Sequence, residues 1–178
     1  QASKLKRQVA LIEKSHNLGG VSLHTGTIPS KSLRETVMHF SLLRQQTHGI
    51  EISFKDNLTT NELMYRKEMV IRDQENSLRR NFEKNNITIF EGTPKFKSST
   101  TIELITSDTK DSLEISADYF VIATGSSPLR PKWAPFDNEC VFDSDTILEI
   151  KHLPKKVTII GAGVIGCEYA SIFSKMGI

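Results

Sequence analysis

Three groups of residues in this chain have the types and spacing to do chemistry. The first is Gly161–Ala162–Gly163–Val164–Ile165–Gly166, a GxGxxG spacing between the apolar run Val157 to Ile160 and the helical pattern Cys167 to Met176. A dinucleotide pyrophosphate needs such a turn. Gly161 turns the chain tightly, Gly163 lets backbone reach the phosphates, and Gly166 lets helix and strand pack closely. The helix N-terminus adds free N–H groups and the positive end of its dipole. The bland reading is a structural glycine turn. The acid or arginine that separates NAD from NADP belongs roughly 20 residues further on. The chain stops first, at Ile178, so the sequence does not choose between NAD and NADP.

The second group is Glu13, which closes the apolar run Val9–Ala10–Leu11–Ile12. An acid at the end of the second strand of a βαβ unit can accept both ribose hydroxyls. The alternative is a surface glutamate after a strand. The phosphate-binding glycines of such a unit lie roughly 20 residues upstream. Only twelve residues precede Glu13 and none is glycine. Either this is no nucleotide fold, or its own phosphate loop lies before Gln1. The third group is Leu18 to Arg34, LGGVSLHTGTIPSKSLR. Gly19–Gly20 reads as a close-approach loop, Ile28 as extended because it precedes proline, and Pro29 as the opening of a helix. Ser30 and Lys31 then stand in the first helical turn.

The 178 residues suit an ordinary domain length, and 23 basic against 21 acidic residues give a net charge of only +2. No basic block interleaved with aromatics appears, so nucleic acid is not expected as a partner. No apolar run approaches membrane-spanning length, and the opening QASKLKRQ lacks the core of a signal peptide, so no membrane is expected. Cys140 and Cys167 match no metal or redox spacing, which suits a reducing, cytoplasmic setting.

The elements that must position these groups follow from periodicity. Val9 to Ile12 predicts a buried parallel strand. Pro29 to about Gln46 predicts a helix with Leu33, Val37, Phe40 and Leu43 on one side. A loop around 47–58 leads to a long helix from Thr60 to Lys84, whose charges read as a solvated face, with Glu62→Arg66 and Glu68→Arg72 as supporting pairs. Ile87 to Glu91, Thr101 to Thr106 and Leu113 to Ser116 read as strands. The turns between them are expected at Gly92–Pro94, Lys97–Ser99 and Ser107–Asp111. Asp118 to Ala123 and Val157 to Ile160 read as two further buried strands.

Leu18 to Arg34 resembles the redox-disulfide motif GGxCxxxxCIPSK of the two-dinucleotide flavoprotein disulfide reductases, such as dihydrolipoamide dehydrogenase, glutathione reductase and mercuric reductase. The match is ungapped with both sulfurs replaced: Ser22 stands at the first cysteine position and Thr27 at the second. His24 to Lys31 is most similar to the soluble, flavin-dependent pyridine nucleotide transhydrogenase branch. Ala123–Thr124–Gly125–Ser126 is similar to the segment of these flavoproteins that closes over FAD, where small residues let backbone approach the cofactor. A basic residue common in the family is missing at Ser127.

The resemblance implies an α/β, Rossmann-like two-dinucleotide-binding flavoprotein, truncated at both ends. Residues 1–145 would be a FAD-binding domain without its N-terminal strand and GxGxxG loop, and residues 146–178 the start of a NAD(P)-binding domain. The implied cofactors are FAD, NAD and NADP. Glu13, Lys14, Gly19, Gly20, Ser22, Thr27, Lys31, Ala123, Thr124 and Gly125 would line the flavin nucleotide. Gly161, Gly163, Val164, Ile165 and Gly166 would line the nicotinamide nucleotide. Glu168 would pair with Lys31 beside the flavin. No metal site is implied, and no residue is assigned a catalytic role, because the family's His–Glu couple belongs to a C-terminal domain.

Ser22 and Thr27 can form neither a disulfide nor a thiolate, so the hydride must leave the flavin by another route. A second nicotinamide is the economical acceptor. That implies a ping-pong NAD(P)+ transhydrogenase of the Si-specific type, cytoplasmic, and a homodimer or higher homo-oligomer when intact. One alternative is a dihydrolipoamide-dehydrogenase-like flavoprotein that uses oxygen or a quinone. Another is a non-catalytic flavoprotein-derived module. The free 178-residue chain is expected to hold FAD poorly and to be inactive.

Overall fold

The computed structural model describes residues 1–45, 60–108 and 111–178. The loop expected over 47–58 and the middle of the turn expected at 107–111 lie outside the described residues. The chain forms two compact units, residues 1–20 with 74–125, and residues 21–73 with 126–178.

The first unit is built on a four-stranded sheet in the order β1 (Ala10–Glu13), β2 (Thr88–Phe96), β3 (Thr101–Thr106), β4 (Ser112–Ser116). The first half of β2 runs parallel to β1, with Ala10 opposite Thr88 and Glu13 opposite Glu91. Its second half turns to β3, and β3 to β4, as an antiparallel meander. Alternation explains β3: Ile102 and Leu104 point inward and are buried, while Ile105 is exposed. Gly92 marks the change of partner. A Cβ there would stand 2.3 Å from the Ile105 carbonyl oxygen, so only glycine lets the two strands meet.

The turn expected at Gly92–Pro94 is therefore strand. Pro94 is tolerated because this half of β2 pairs on one side only, where a missing N–H need not break a ladder bond. The turn before β3 is closed by Lys97 and Ser98 N–H groups donating to the Thr101 oxygen. Two expected strands are absent. Residues 118–123 and 157–160 form no strand, and Val121 is 91 % exposed and Ile160 81 %. A strand needs a hydrogen-bonding neighbour, and none of the described strands pairs with either segment.

The second unit is helical. It contains most of α1 (Gly20–His24), α2 (Thr27–Gln45), the first half of α3 (Thr60–Lys84), a 3-10 turn at Thr146–Glu149 and α4 (Val164–Lys175). The core joins Leu33 and Val37 of α2, Leu63 of α3, Leu148, and Tyr169, Ile172 and Phe173 of α4. Burying each such side chain stabilises by about 1.5–3 kcal/mol. Phe40, expected beside Leu33 and Val37, is exposed instead.

Not all of the α3 charges form a solvated face. Lys67 is buried, and its Nζ donates to the Leu148 carbonyl at 2.9 Å. Burial lowers its pKa, and the charges of Glu68 and Glu149 only partly restore it. Asp143 organises the 3-10 turn from in front. Its Oδ1 accepts N–H groups of Asp145 and Thr146 at 3.0 and 2.9 Å, and its Oδ2 accepts Arg130 Nε at 2.7 Å. Burial pushes this carboxyl up, but the Thr146 N–H, Arg130 and the remaining donors outweigh it and hold the pKa low.

Candidate functional site

In the second unit, the GxGxxG turn has the geometry a phosphate requires. Gly161 has φ 115°, a left-handed value that side chains resist. A Cβ on Gly166 would lie 2.2 Å from the Gly161 oxygen, so turn and helix touch through glycine. A Cβ on Gly163 would meet nothing within 4 Å, so nothing in the chain itself demands glycine there. That open face fits an outside group approaching the backbone. Gly163 is the N-cap of α4 and no side chain caps the helix. The helix starts at Val164, three residues earlier than Cys167. Val164 and Ile165 are exposed in its first turn, and their N–H groups are not taken by a capping side chain. A charge held there gains about 0.3–1 kcal/mol from the dipole. These residues fit a dinucleotide pyrophosphate, although the strand expected before them at 157–160 does not form.

Glu168 follows in the same helix. Next to it, Tyr169 is buried and its hydroxyl donates to the Ser144 carbonyl at 3.2 Å. Burial first, then the charges of Glu168 and Asp145, push its pKa up, so it remains a donor. Cys167 Sγ donates to the Ala162 carbonyl at 3.5 Å, and both cysteines are exposed and free.

Ser22 and Thr27 are both exposed. Ser22 lies on the short helix α1 (Gly20–His24), which the glycine-loop reading did not anticipate. Thr27 opens α2. Ile28 is therefore helical and not extended. Pro29 occupies the third helical position, where its missing N–H has no intrahelical partner to lose. Gly26 joins the two helices. Its N–H and that of Thr25 donate to the Val21 carbonyl at 2.6 and 3.1 Å, and a Cβ on Gly26 would stand 2.9 Å from that oxygen. Glycine between two helical stretches was the available signal. Lys31 is exposed, and it forms no ion pair with Glu168 within 4.0 Å.

In the first unit, Glu13 ends β1 and its Oε1 accepts the Ser15 N–H at 3.1 Å. That bond orients the carboxylate and leaves its second oxygen for another donor. Lys14 is exposed beside it. Gly19 and Gly20 have φ 107° and 55°, and the space above Gly20 is open. Ala123, Thr124 and Gly125 are exposed coil, with Gly125 at φ 75°. Two residues of this region escaped notice in the sequence, Glu75 and Arg79. Both reach from α3 to the backbone between Glu13 and Gly19. Their signal was the same four-residue spacing as Glu62→Arg66.

No helix of the described residues is long and apolar enough to cross a membrane. Among them, no cluster of three His, Cys, Asp or Glu side chains is placed to hold a metal.

The family model for pyridine nucleotide-disulphide oxidoreductases matches residues 1–178. Among curated relatives, the soluble pyridine nucleotide transhydrogenase of Mycobacterium bovis BCG Pasteur is 38% identical over 177 residues, covering 99% of this chain and 38% of the relative. That of Pseudomonas aeruginosa LESB58 is 40% identical over 184 residues, with 99% and 38% covered. Thus the chain spans 38% of the length of these relatives. Among solved structures, the HOCl-induced flavoprotein disulfide reductase RclA of Escherichia coli aligns with TM-score 0.77 and 26% identity, over 98% of this chain and 36% of that one. LpdA of Mycobacterium tuberculosis aligns with TM-score 0.85 over 96% of this chain and 37% of that one; at 21% identity it speaks for the fold alone. With the match running from the first residue to the last, the chain belongs to the pyridine nucleotide-disulphide oxidoreductase family.

Proposed function

We propose that this chain is part of a FAD-dependent NAD(P)+ transhydrogenase that moves hydride from NADPH to NAD+ in a ping-pong cycle of Si-specific type. The observation that carries the reading is the pair Ser22 and Thr27. They occupy both positions of the family's redox disulfide motif, and the two cysteines of the chain, Cys140 and Cys167, stand elsewhere in the sequence. The relatives named soluble pyridine nucleotide transhydrogenase support it.

Residues 1–145 are read as FAD-binding domain and residues 146–178 as the opening of the NAD(P)-binding domain. Bound FAD would supply a two-electron store that takes hydride from one nicotinamide and yields it to another. The chain's own part is binding and orientation. Glu13 holds a ribose through the carboxylate oxygen that the Ser15 N–H leaves open. Gly19–Gly20 and Ala123–Gly125 keep side chains away from the flavin nucleotide. Gly163 does the same for the nicotinamide nucleotide, Gly161 and Gly166 shape the turn that carries it, and the first turn of α4 supplies its N–H groups. Lys31 brings a positive charge on the first turns of α2. The whole protein is read as a cytoplasmic homodimer or higher homo-oligomer.

The test uses the full-length protein, anaerobically, with NADPH and an NAD+ analogue whose reduced form absorbs separately. Hydride exchange without oxygen uptake is expected, together with no reduction of lipoamide, glutathione disulfide or mercuric ion. Sustained turnover of any of those three acceptors would overturn the reading.

A further inference from the structure

The segment Lys14–Leu18 leads from the ribose acid to the glycine pair, and its backbone is tied down by side chains. The Ser15 N–H donates to Glu13 Oε1 at 3.1 Å, and the Asn17 N–H to Ser15 Oγ at 3.2 Å. The other two ties come from α3. Arg79 Nη2 donates to the His16 carbonyl at 3.0 Å, and the Leu18 N–H donates to Glu75 Oε1 at 3.5 Å. Arg79 Nη2 and Nε also donate to Glu75 Oε1, at 2.8 and 3.3 Å. One guanidinium and one carboxylate, a helical turn apart, thus satisfy a loop acceptor and a loop donor at once.

We infer that Arg79, braced by Glu75, is a positioning residue for the cofactor loop: it fixes the path from Glu13 to Gly19–Gly20 and so sets where both meet the flavin nucleotide. This rests on the proposed FAD role of Glu13. The geometry favours Arg79 over the other nearby pair. His16 Nδ1 lies 3.1 Å from Glu91 Oε1, but the histidine side chain is 82% exposed, and solvent screens that contact. Arg79 holds a backbone carbonyl, so its bond constrains the chain itself. Its planar fork serves two acceptors in fixed directions, which lysine cannot copy. Leu18, two residues on from that carbonyl, is 2% exposed and anchors the far end of the loop. The hydrogen bonds of Arg79 go to Glu75 and to the His16 carbonyl, so it acts on Glu13 and the glycines through the loop.

The test is a double-mutant cycle on FAD affinity in the full-length apoprotein, read by flavin fluorescence on titration with FAD. Arg79→Met is expected to weaken FAD binding about tenfold, Arg79→Lys by less, and Arg80→Met, an exposed neighbour, not at all. Glu13→Ala should weaken binding by itself. In the Glu13→Ala background the Arg79→Met loss should shrink, because the loop no longer has its acid to place and only the glycine pair remains. A general loss of stability would instead add in full, and additive effects overturn the inference. Unchanged FAD affinity in Arg79→Met, with Glu13→Ala impaired, overturns it while leaving the FAD reading intact. Unchanged affinity in Glu13→Ala overturns that reading and the positioning role with it. If Arg79→Met fails to fold, Glu75→Gln enters the same cycle, and additivity there has the same meaning.

Discussion

Residues 101–106 and residues 118–123 belong to the same unit and are both rich in β-branched or aromatic residues, yet their surroundings differ. β3 is paired along both edges, and its Leu104 is 0% exposed. The second stretch has no partner among the described strands, and Val121 stands 91% exposed. A meander brings each strand its neighbour a few residues later, so β2, β3 and β4 satisfy one another locally. An apolar run of the parallel type depends on a neighbour reached through a crossover. Residues 157–160 repeat the lesson, but with a twist. They form no strand, while the glycine turn that follows keeps its geometry, because that turn is closed by Gly166 against the Gly161 oxygen and by the start of α4.

The largest expected effect lies in the meander. Leu104→Ala should cost about 2–5 kcal/mol, because the site is closed on all sides. Urea unfolding of the protein checks this, and a loss below ~1 kcal/mol would mean that the meander core is loose. The glycine turn comes next. Gly166→Val puts carbon where the Gly161 carbonyl stands. It should reduce NAD(P)H affinity by about tenfold or more, near 1.4 kcal/mol. Equilibrium dialysis of the full-length variant measures it. Wild-type affinity there would show that the turn can relax, and that its shape does not decide binding.

Why some of this was legible and some was not follows from the range of the forces involved. The helix Thr60–Lys84 was read with its observed ends because local periodicity and charge pairs define it. β3 and β4 were legible for the same reason. β2 was not, because its change of partner at Gly92 depends on β3 across the sheet. The strands expected at 118–123 and 157–160 failed because apolar composition marks a segment fit for burial without supplying the neighbour. At the site, the glycines around Gly161 and Gly19 were visible as residue types. Glu75, Arg79 and Lys67 were hidden among the charges of α3, since only tertiary structure tells which charge of an amphipathic helix faces a loop or a carbonyl.

A smaller effect sharpens the contrast from the other side. Val121→Ala in this 178-residue chain should change stability by less than ~0.5 kcal/mol, since an exposed side chain loses little. The same substitution in the proposed full-length transhydrogenase offers a direct comparison. A loss there of about 1 kcal/mol or more would show that the stretch is covered by a neighbour from outside this chain.

The smallest expected effect lies in coil that needs no distant neighbour. Asp137 Oδ1 accepts the N–H groups of Glu139, Cys140 and Val141 at 2.9, 2.9 and 2.8 Å. One carboxylate thereby orders a turn that contains Asn138 at φ 59°. The Val141, Glu139 and Cys140 N–H groups, in that order of weight, lower its pKa to about 2. The folded pKa lies below the ordinary carboxylate value of about 3.9, so the contribution is complete above that pH. It is lost as pH falls through about 2. The carboxylate is fully exposed, so solvent keeps the gain small. A carboxyl NMR titration should give a midpoint about two units below the ordinary value. Asp137→Asn should remove this part of the acid dependence while still offering an oxygen acceptor. A midpoint at the ordinary value would mean that the three N–H groups do not converge in solution. Local closure would then fail as the explanation for order outside the sheet and helices.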